Sequence, residues 1–260
     1  MINFKGNGKI LPLKFILKRM LELKNVSAYV EKDEKILENI SAEFKKDSLS
    51  LVLGPNAAGK TTLASVISGN ESVKIKGRIF LKGKDISRKK LHERAKLGIL
   101  LLHQSPVEIP GVKIFDFLFA SYKAMVEKGI CVWDFHEIVL KSLEELNLSE
   151  DFLQRSVNEG FSGGEKKKLE ILQMLLFKPK VVILDEIDSG LDIDSIKNIF
   201  QIVKNYQKEH KATMILISHG PKILKHITPD QVLLVQDKTI KEEGDIKLAK
   251  KILENGYKEK

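Results

Sequence analysis

A glycine-rich octapeptide running from Gly54 to Thr61 limits the folds open to this chain more than any other segment. It fits the pattern G-x-x-x-x-G-K-[ST], which a chain of this length matches by chance about once in a hundred. The apolar run Ser50–Leu53 precedes it, and a helical pattern begins at Thr62. In such a strand–loop–helix unit, successive backbone N–H groups and the helix N-terminus bind phosphates. We therefore predict a nucleotide site here.

Individual roles follow from the loop chemistry. Lys60 is placed to reach the β- and γ-phosphates of a nucleotide, and the hydroxyl of Thr61 is placed to bind Mg²⁺. The residues predicted to contact the nucleotide are Gly54, Pro55, Asn56, Ala57, Ala58, Gly59, Lys60, Thr61 and Thr62.

Short apolar runs recur along the chain and predict β-strands. They are Leu21–Val26, Ser50–Leu53, Arg78–Leu81, Ile99–Leu102, Val181–Leu184, Met214–Ile217 and Val232–Val235. Several are continuously apolar, as in strands buried on both faces. Helical patterns alternate with them, at Thr62–Ser68, at Arg88–Lys96 behind a Ser87 cap, and at Ile196–Lys208. The alternation predicts an α/β layered fold.

The middle of the chain is helical instead, with patterns at Phe115–Glu127, Phe135–Leu146 and Glu165–Phe177. We therefore predict an α/β core formed by residues 20–111 and 178–260, with residues 112–177 inserted as a helical subdomain. Residues 1–19 are basic and contain no acid; they form a leader that is either disordered or upstream of the true start. The folded domain is expected to begin at Met20.

Two adjacent acids, Asp185 and Glu186, follow the apolar run Val181–Leu184. At a strand end both carboxylates can face a bound nucleotide. Asp185 suits Mg²⁺, because a hard cation prefers oxygen ligands, and Glu186 is placed to orient or deprotonate the attacking water. An acid pair at this point could alternatively cap a helix.

A second anion-binding element, Gly160–Glu165, precedes another helical pattern. One nucleotide does not need two such elements from the same subunit. Taken with the phosphate loop and the acid pair, the stretch Ser162-Gly163-Gly164-Glu165 resembles the ABC ATPase family. This resemblance implies an ABC ATPase nucleotide-binding domain of α/β class, with a RecA-like phosphate-loop core, an antiparallel β subdomain and an inserted α-helical subdomain.

The resemblance also implies Mg-ATP hydrolysis in a head-to-tail dimer. Ser162, Gly163 and Gly164 would meet the nucleotide of the second copy, and Asp192 ends a loop that crosses the interface. Gln104 would sense Mg²⁺ and the attacking water, and His219 would contact the γ-phosphate. Tyr29 would stack on adenine, although a core or surface tyrosine is the alternative. Ala57-Ala58 replaces the commoner Gly-Ser of the family, a change that should be tolerated because the backbone does the binding.

Several stretches resemble the SufC subfamily, the ATPases of SufBCD iron–sulfur assembly scaffolds. They are Gln104–Val112, Gly160–Lys167 with Ile171–Met174, Leu184–Asp194 and Leu253–Tyr257. The resemblance implies SufB- and SufD-like scaffold partners and a cytoplasmic location. We also hypothesise that Lys166 or Lys167 pairs with Glu186 in the free monomer and holds it inactive.

Composition removes some alternatives. The formal charge is +9, but five of those charges lie in the first nineteen residues, so nucleic-acid binding is not expected. No apolar run is long enough to span a bilayer, and the single cysteine, Cys131, cannot hold an iron–sulfur cluster alone; we expect it to be an apolar filler.

An energy-coupling subunit of a membrane transporter remains the main alternative function, because it would share every catalytic residue. DNA-repair and translation ABC proteins need a coiled-coil insertion or tandem modules, which the sequence lacks.

Overall fold

The computed structural model describes residues 19–30, 33–126, 128–219 and 221–257, and within that part of the chain two main sheets and seven α-helices form the fold. Residues 1–18 of the predicted leader lie outside the described residues. Arg19, assigned to the leader, is instead the first residue of a strand and forms ion pairs with Glu22 and Glu43.

The central sheet has six strands in the order β12-β11-β3-β10-β9-β6. β3, β6, β9, β10 and β11 are parallel, and β12 pairs antiparallel with β11 at the edge. The bounds are β3 Leu49–Leu53, β6 Ile99–Leu102, β9 Val181–Asp185, β10 Thr213–Ile217, β11 Gln231–Gln236 and β12 Thr239–Gly244.

The second sheet is antiparallel, in the order β2-β1-β4-β5. Its strands are β1 Arg19–Tyr29, β2 Lys35–Lys45, β4 Lys74–Leu81 and β5 Lys84–Asp85. Two short strands, β7 Ile109–Lys113 and β8 Ser156–Val157, form a separate antiparallel pair. The α/β class with a separate antiparallel sheet is as predicted.

The helices connect the strands and cover the central sheet. They are α1 Lys60–Ser68, α2 Leu91–Lys96, α3 Ile114–Met125, α4 Val132–Glu145, α5 Gly163–Phe177, α6 Ile193–His210 and α7 Ile246–Asn255. α3, α4 and α5 lie within the predicted helical segment; its boundaries at residues 112 and 177 stay a prediction. None of the helices in the described part of the chain is long and apolar enough to cross a membrane.

Both faces of the central sheet are buried, which explains its continuously apolar strands. Leu51 of β3 and Leu184 of β9 belong to the cluster that includes α3, α4 and α5. Val52 and Ile183, their neighbours along the same strands, belong to the cluster formed with α1 and the antiparallel sheet. Alternation along each strand therefore divides the core into two parts joined through one sheet.

One strand was missed and two local predictions were wrong. β2 was missed because the alternation of apolar and polar residues along it is interrupted where its pairing with β1 shifts register, with Asn39 in the left-handed region. Ser87 does not cap α2: its hydroxyl bonds to Asp85 and accepts from the backbone N–H of Ile79, and the helix starts later. Cys131 is exposed rather than an apolar filler, and its Sγ accepts from a backbone N–H in the first turn of α4.

A buried arginine, Arg94, ties the end of α1 to the rest of the core. Its guanidinium donates to the carbonyls of Val66 and Ile67, in the last turn of α1, and to those of Ser87 and Lys89. A cation at a helix C-terminus satisfies unpaired carbonyls and opposes the helix dipole. Because α1 begins at the phosphate loop, Arg94 fixes the far end of the helix that carries the loop.

We expect Arg94→Met to lower the free energy of unfolding by about 3 kcal/mol or more, because it leaves several buried carbonyls without donors. Urea unfolding followed by circular dichroism measures this loss. Arg78→Met is the matched control: Arg78 is an exposed residue of β4, so a change within about 0.5 kcal/mol is expected. Equal losses in both variants would contradict a special role for Arg94.

Candidate nucleotide site

The phosphate loop spans residues 54–59, between the end of β3 and the start of α1. Only glycine fits at position 54, because a Cβ there would lie 2.1 Å from the carbonyl oxygen of Val235. Gly59 has φ 98°, and a Cβ on it would lie 2.6 Å from Leu37. Ala57 has φ 61°, in the left-handed region where an L-residue costs about 1 kcal/mol relative to glycine. The loop thus keeps a glycine-type backbone even where the sequence has alanine.

The ammonium group of Lys60 lies inside the loop. It donates to the carbonyls of Gly54 at 2.9 Å and Pro55 at 2.8 Å, and it lies 3.0 Å from Nδ1 of His219. The residue is only 4% exposed. This burial lowers the pKa of Lys60, while the nearby carboxylates of Glu186 and Asp185 raise it.

Three predicted catalytic side chains meet beside Lys60. Gln104 Nε2 donates to one carboxylate oxygen of Glu186, and His219 Nε2 contacts the other. Because the ammonium of Lys60 donates to Nδ1 of His219, the neutral ring carries its proton on Nε2 and donates it to Glu186. Glu186 itself has φ 50°, a conformation rare for a non-glycine residue, which turns the chain directly after β9. Glu186 is thereby held from two sides.

Asp185 lies deeper, at the end of β9, and is 2% exposed. It forms a side-chain hydrogen bond with Thr61, but its Oδ1 has no hydrogen-bond partner among the described residues. Burial raises the pKa of the Asp185 carboxyl, the bond with Thr61 lowers it, and nearby Glu186 raises it.

These oxygen donors fit Mg²⁺. A buried carboxylate oxygen without a partner, next to a threonine hydroxyl, is a suitable ligand pair for a hard cation. The described residues contain no group of three or more His, Cys, Asp or Glu side chains able to hold a metal. Any magnesium bound here would therefore take most of its ligands from phosphates and water.

A cavity of about 600 Å³ opens over the loop. Its described lining consists of Val30, Ile36, Asn56, Ala57, Gly59, Lys60, Thr61, Thr62, Gln104, Glu186 and His219. Gly54, Pro55 and Ala58 belong to the loop without lining the cavity, and Asp185 lies below it. Two lining residues, Val30 and Ile36, were not predicted; Val30 directly follows β1, and Ile36 lies in β2, a strand that was itself missed.

Tyr29, predicted to stack on adenine, is not among the described lining residues. Lys76 Nζ lies 5.3 Å from the centre of its ring. Val30, the next residue of the chain, lines the cavity in its place.

The second predicted anion-binding element and the loop that ends at Asp192 do not line this cavity: Ser162, Gly163, Gly164 and Asp192 are absent from its described lining. Ser162 caps α5, its hydroxyl accepting from the N–H of Glu165 at 3.2 Å. Asp192 caps α6 in the same way.

The two caps belong to neighbouring loops. A Cβ on Gly163 would lie 3.3 Å from the carbonyl oxygen of Gly190, two residues before Asp192. The predicted elements for a second subunit therefore lie side by side.

The hypothesis that Lys166 or Lys167 pairs with Glu186 is wrong for this structure. Lys166 Nζ pairs with Glu108 at 2.8 Å, and Lys167 pairs with Glu170 at 3.2 Å. Glu186 is occupied by Gln104 and His219 instead, since β6 and β10 deliver them to the same edge of the sheet.

A phosphate loop, a buried strand ending in two acids and a separate helix that is capped by a serine and begins with two glycines define a nucleotide-hydrolysing domain of the phosphate-loop class. Residues 37–189 match the model of the ABC transporter family. The chain belongs to this family, and it is an ABC-type ATPase that binds ATP.

Curated relatives and solved structures agree with this assignment. The chain is 41% identical over 244 residues to the probable ATP-dependent transporter ycf16 of Cyanidium caldarium, covering 92% of this chain and 95% of that protein. It is 39% identical over 241 residues to a probable ABC transporter ATP-binding protein of Streptococcus pyogenes, covering 92% and 93%.

Among solved structures, the ADP conformation of the ABC transporter cassette MJ1267 covers 92% of this chain and 96% of its own, with a TM-score of 0.73 and 26% identity. The dimeric cassette MJ0796, bound to ADP and phosphate, covers 87% and 99%, with a TM-score of 0.77 and 19% identity, and shows the same fold.

In EDTA, we expect Asp185→Asn to raise the midpoint temperature of unfolding and to add about 1 kcal/mol to the free energy of unfolding. The reason is that the substitution removes a buried, incompletely paired carboxylate. The stabilisation produced by ATP with magnesium should fall sharply. Thermal unfolding with and without Mg-ATP measures both effects. Asp194→Asn, an exposed acid in α6, is the control and should change neither; a lower midpoint of Asp185→Asn in EDTA would contradict the expectation.

Proposed function

We propose that this ATPase hydrolyses Mg-ATP between two copies of the chain, as the ATPase subunit of a SufBCD-type iron–sulfur assembly scaffold. One observation carries the catalytic part of the proposal: Lys60, Gln104, Glu186 and His219 meet in one cavity, while Ser162 and its glycines lie outside it.

The roles follow from the contacts. The loop N–H groups and Lys60 bind the phosphates, which would draw the ammonium from the carbonyls it now contacts. Glu186 accepts the proton of the attacking water, and Gln104 and His219 fix the direction of its carboxylate. Thr61, Asp185 and Gln104 would hold Mg²⁺, which neutralises charge on the phosphate oxygens.

A head-to-tail dimer supplies what one copy lacks. Ser162, Gly163 and Gly164 present the N-terminus of α5, a 15-residue helix suited to anion binding, away from the copy's own cavity. The loop ending at Asp192 lies against it. Two copies arranged head to tail would bring each such surface to the other's nucleotide, and the related cassette MJ0796 is described as dimeric.

Complementation tests the shared site. Glu186→Gln should lower turnover at least a hundredfold, by about 3 kcal/mol, through loss of the base, and Ser162→Arg should do the same by filling the place where Ser162 would meet the other copy's nucleotide, without preventing dimer formation. An equimolar mixture should recover about a quarter of wild-type turnover, because half of the random dimers contain one intact site out of two.

The control is a chain that carries both substitutions, mixed with Ser162→Arg. That mixture has no intact site and should stay inactive. If the first mixture is also inactive although both variants bind ATP, then each copy hydrolyses alone and the dimer proposal fails.

The partner assignment rests on the SufC-like stretches and on an exposed apolar surface within one of them, Gln104–Val112. Val107 is 78% exposed, and Ile109 and Val112 are also exposed. This surface is tied to the neighbouring segment: Asn158 Nδ2 donates to the carbonyl of Val107 at 2.8 Å, and β7 pairs with β8. Exposed apolar side chains on an ordered segment suit a protein partner.

A transporter subunit is the second candidate, favoured by two relatives that are described as a probable ATP-dependent transporter and a probable ABC transporter ATP-binding protein. The catalytic residues do not separate the two functions. The partner does: SufB- and SufD-like scaffold proteins in the cytoplasm in one case, a polytopic membrane protein in the other.

An affinity pull-down of the tagged chain from its native host, split into soluble and membrane fractions, decides between them. We expect a SufB-like protein in the soluble fraction, identified by mass spectrometry. Val107→Asp should lose that partner and keep its ATPase activity, since the substitution adds a charge to the exposed surface only. Recovery of a polytopic membrane protein would overturn the scaffold assignment and leave the ATPase chemistry intact.

A further inference from the structure

A buried ion pair lies within α5, one turn inside the helix that Ser162 caps. Lys167 Nζ and Glu170 Oε2 are 3.2 Å apart, and their side chains are only 4% and 5% exposed. Burial raises the pKa of Glu170 to about 7, even though Lys167 and a backbone N–H lower it. Apolar residues in the same positions would often stabilise a fold as well or better, so the pair calls for another explanation.

The pair hydrogen-bonds to the backbone of His103 and Gln104, the two residues that follow β6, both as acceptor and as donor. The second carboxylate oxygen of Glu170 accepts from the N–H of His103. Lys167 Nζ donates to the carbonyl of His103, and to that of Gln104 at 3.3 Å. β6 ends one residue earlier, at Leu102, so these backbone groups have left the ladder of the sheet and take side-chain partners instead.

One of these two residues, Gln104, has a side chain that donates to Glu186. With the backbone fixed at His103 and Gln104, only the side-chain torsions of Gln104 remain to be set. The following residues are tied to the same side of the molecule, through Asn158 to Val107 and through Lys166 to Glu108. A direct chain of contacts therefore runs from α5 to the carboxylate of Glu186.

We propose that Lys167 and Glu170 are positioning residues: they hold the backbone of Gln104 so that its side chain meets Glu186, and they link it to the helix that begins behind Ser162. The inference rests on the role of Gln104 given under the proposed function. Any shift of α5 when its N-terminus meets a second nucleotide would be passed to Gln104 through this pair.

The double variant Lys167→Met/Glu170→Leu tests the proposal, because removing both charges leaves no unpaired buried ion. We expect a folded protein with a somewhat lower urea midpoint, because the backbone groups of His103 and Gln104 lose their side-chain partners. The kcat should fall by about tenfold or more and the KM for ATP should change less than about threefold, as for a misplaced group that acts in the reaction. Lys168→Met, the same change at the next residue, is the matched control and should behave as wild type.

Non-additivity separates positioning from a general packing effect. In a Gln104→Ala background the double variant should lower kcat no further, because the pair acts through the side chain already removed. Hydrogen exchange at the amide of His103 should be faster in the double variant, since that N–H loses its acceptor. A wild-type kcat in the double variant, or an equal further loss in the Gln104→Ala background, would overturn the inference.

The outcomes distinguish this inference from the proposed function. A Gln104→Ala variant with wild-type turnover overturns the role of Gln104 and the inference with it. A slow Gln104→Ala variant together with a fully active Lys167→Met/Glu170→Leu variant overturns the inference alone. If the double variant does not fold, Glu170→Gln decides by the same measurements, with an expected loss of kcat of about threefold because the charge-assisted bond to His103 is weakened.

Discussion

Parallel pairing of β3, β6, β9 and β10 is the constraint on which the site depends. In register, Leu102 lies opposite Leu184, and Asp185 lies opposite Ile217. The carboxyl ends of these strands therefore meet at one edge of the sheet, where β3 delivers the phosphate loop and the other strands deliver Gln104, Glu186 and His219. Hydrogen bonds between strands set distances that no single loop could hold, and the two buried faces of the sheet prevent a slip in register.

Charge is buried at this edge beyond what stability alone would favour. Lys60, Asp185 and Glu186 lie close together with little exposure, and Lys167 with Glu170 adds a second buried pair behind them. Such groups cost desolvation free energy, and the aliphatic layers on both faces of the sheet offset that cost. A site with oriented, largely buried charges is suited to stabilising phosphate charge as it develops during hydrolysis.

In the proposed head-to-tail dimer, one copy would be incomplete because of the same geometry. The glycine pair after Ser162 begins a helix on the helical side of the molecule, whereas the cavity opens over the end of the central sheet. A single rigid fold keeps the two apart. Contact between them requires a second molecule or a large internal motion, and a second molecule needs no distortion of either part.

Local patterns in the chain were enough to predict the phosphate loop, the apolar strands of the central sheet and the acids at the end of β9, since each depends on adjacent residues or on alternation along one strand. The α/β class followed from the alternation of strand and helix patterns, and the family from the resemblance of Ser162-Gly163-Gly164-Glu165, taken with the phosphate loop and the acid pair, to ABC ATPases. Tertiary structure decided which side chains touch: Val30 rather than Tyr29 lines the cavity, Lys167 meets Glu170 and the backbone of His103 rather than Glu186, and Arg94 holds the end of α1. Apart from the Lys167–Glu170 pair, which lies within α5, these contacts join residues far apart in the chain, and packing and strand register rather than sequence spacing bring them within reach.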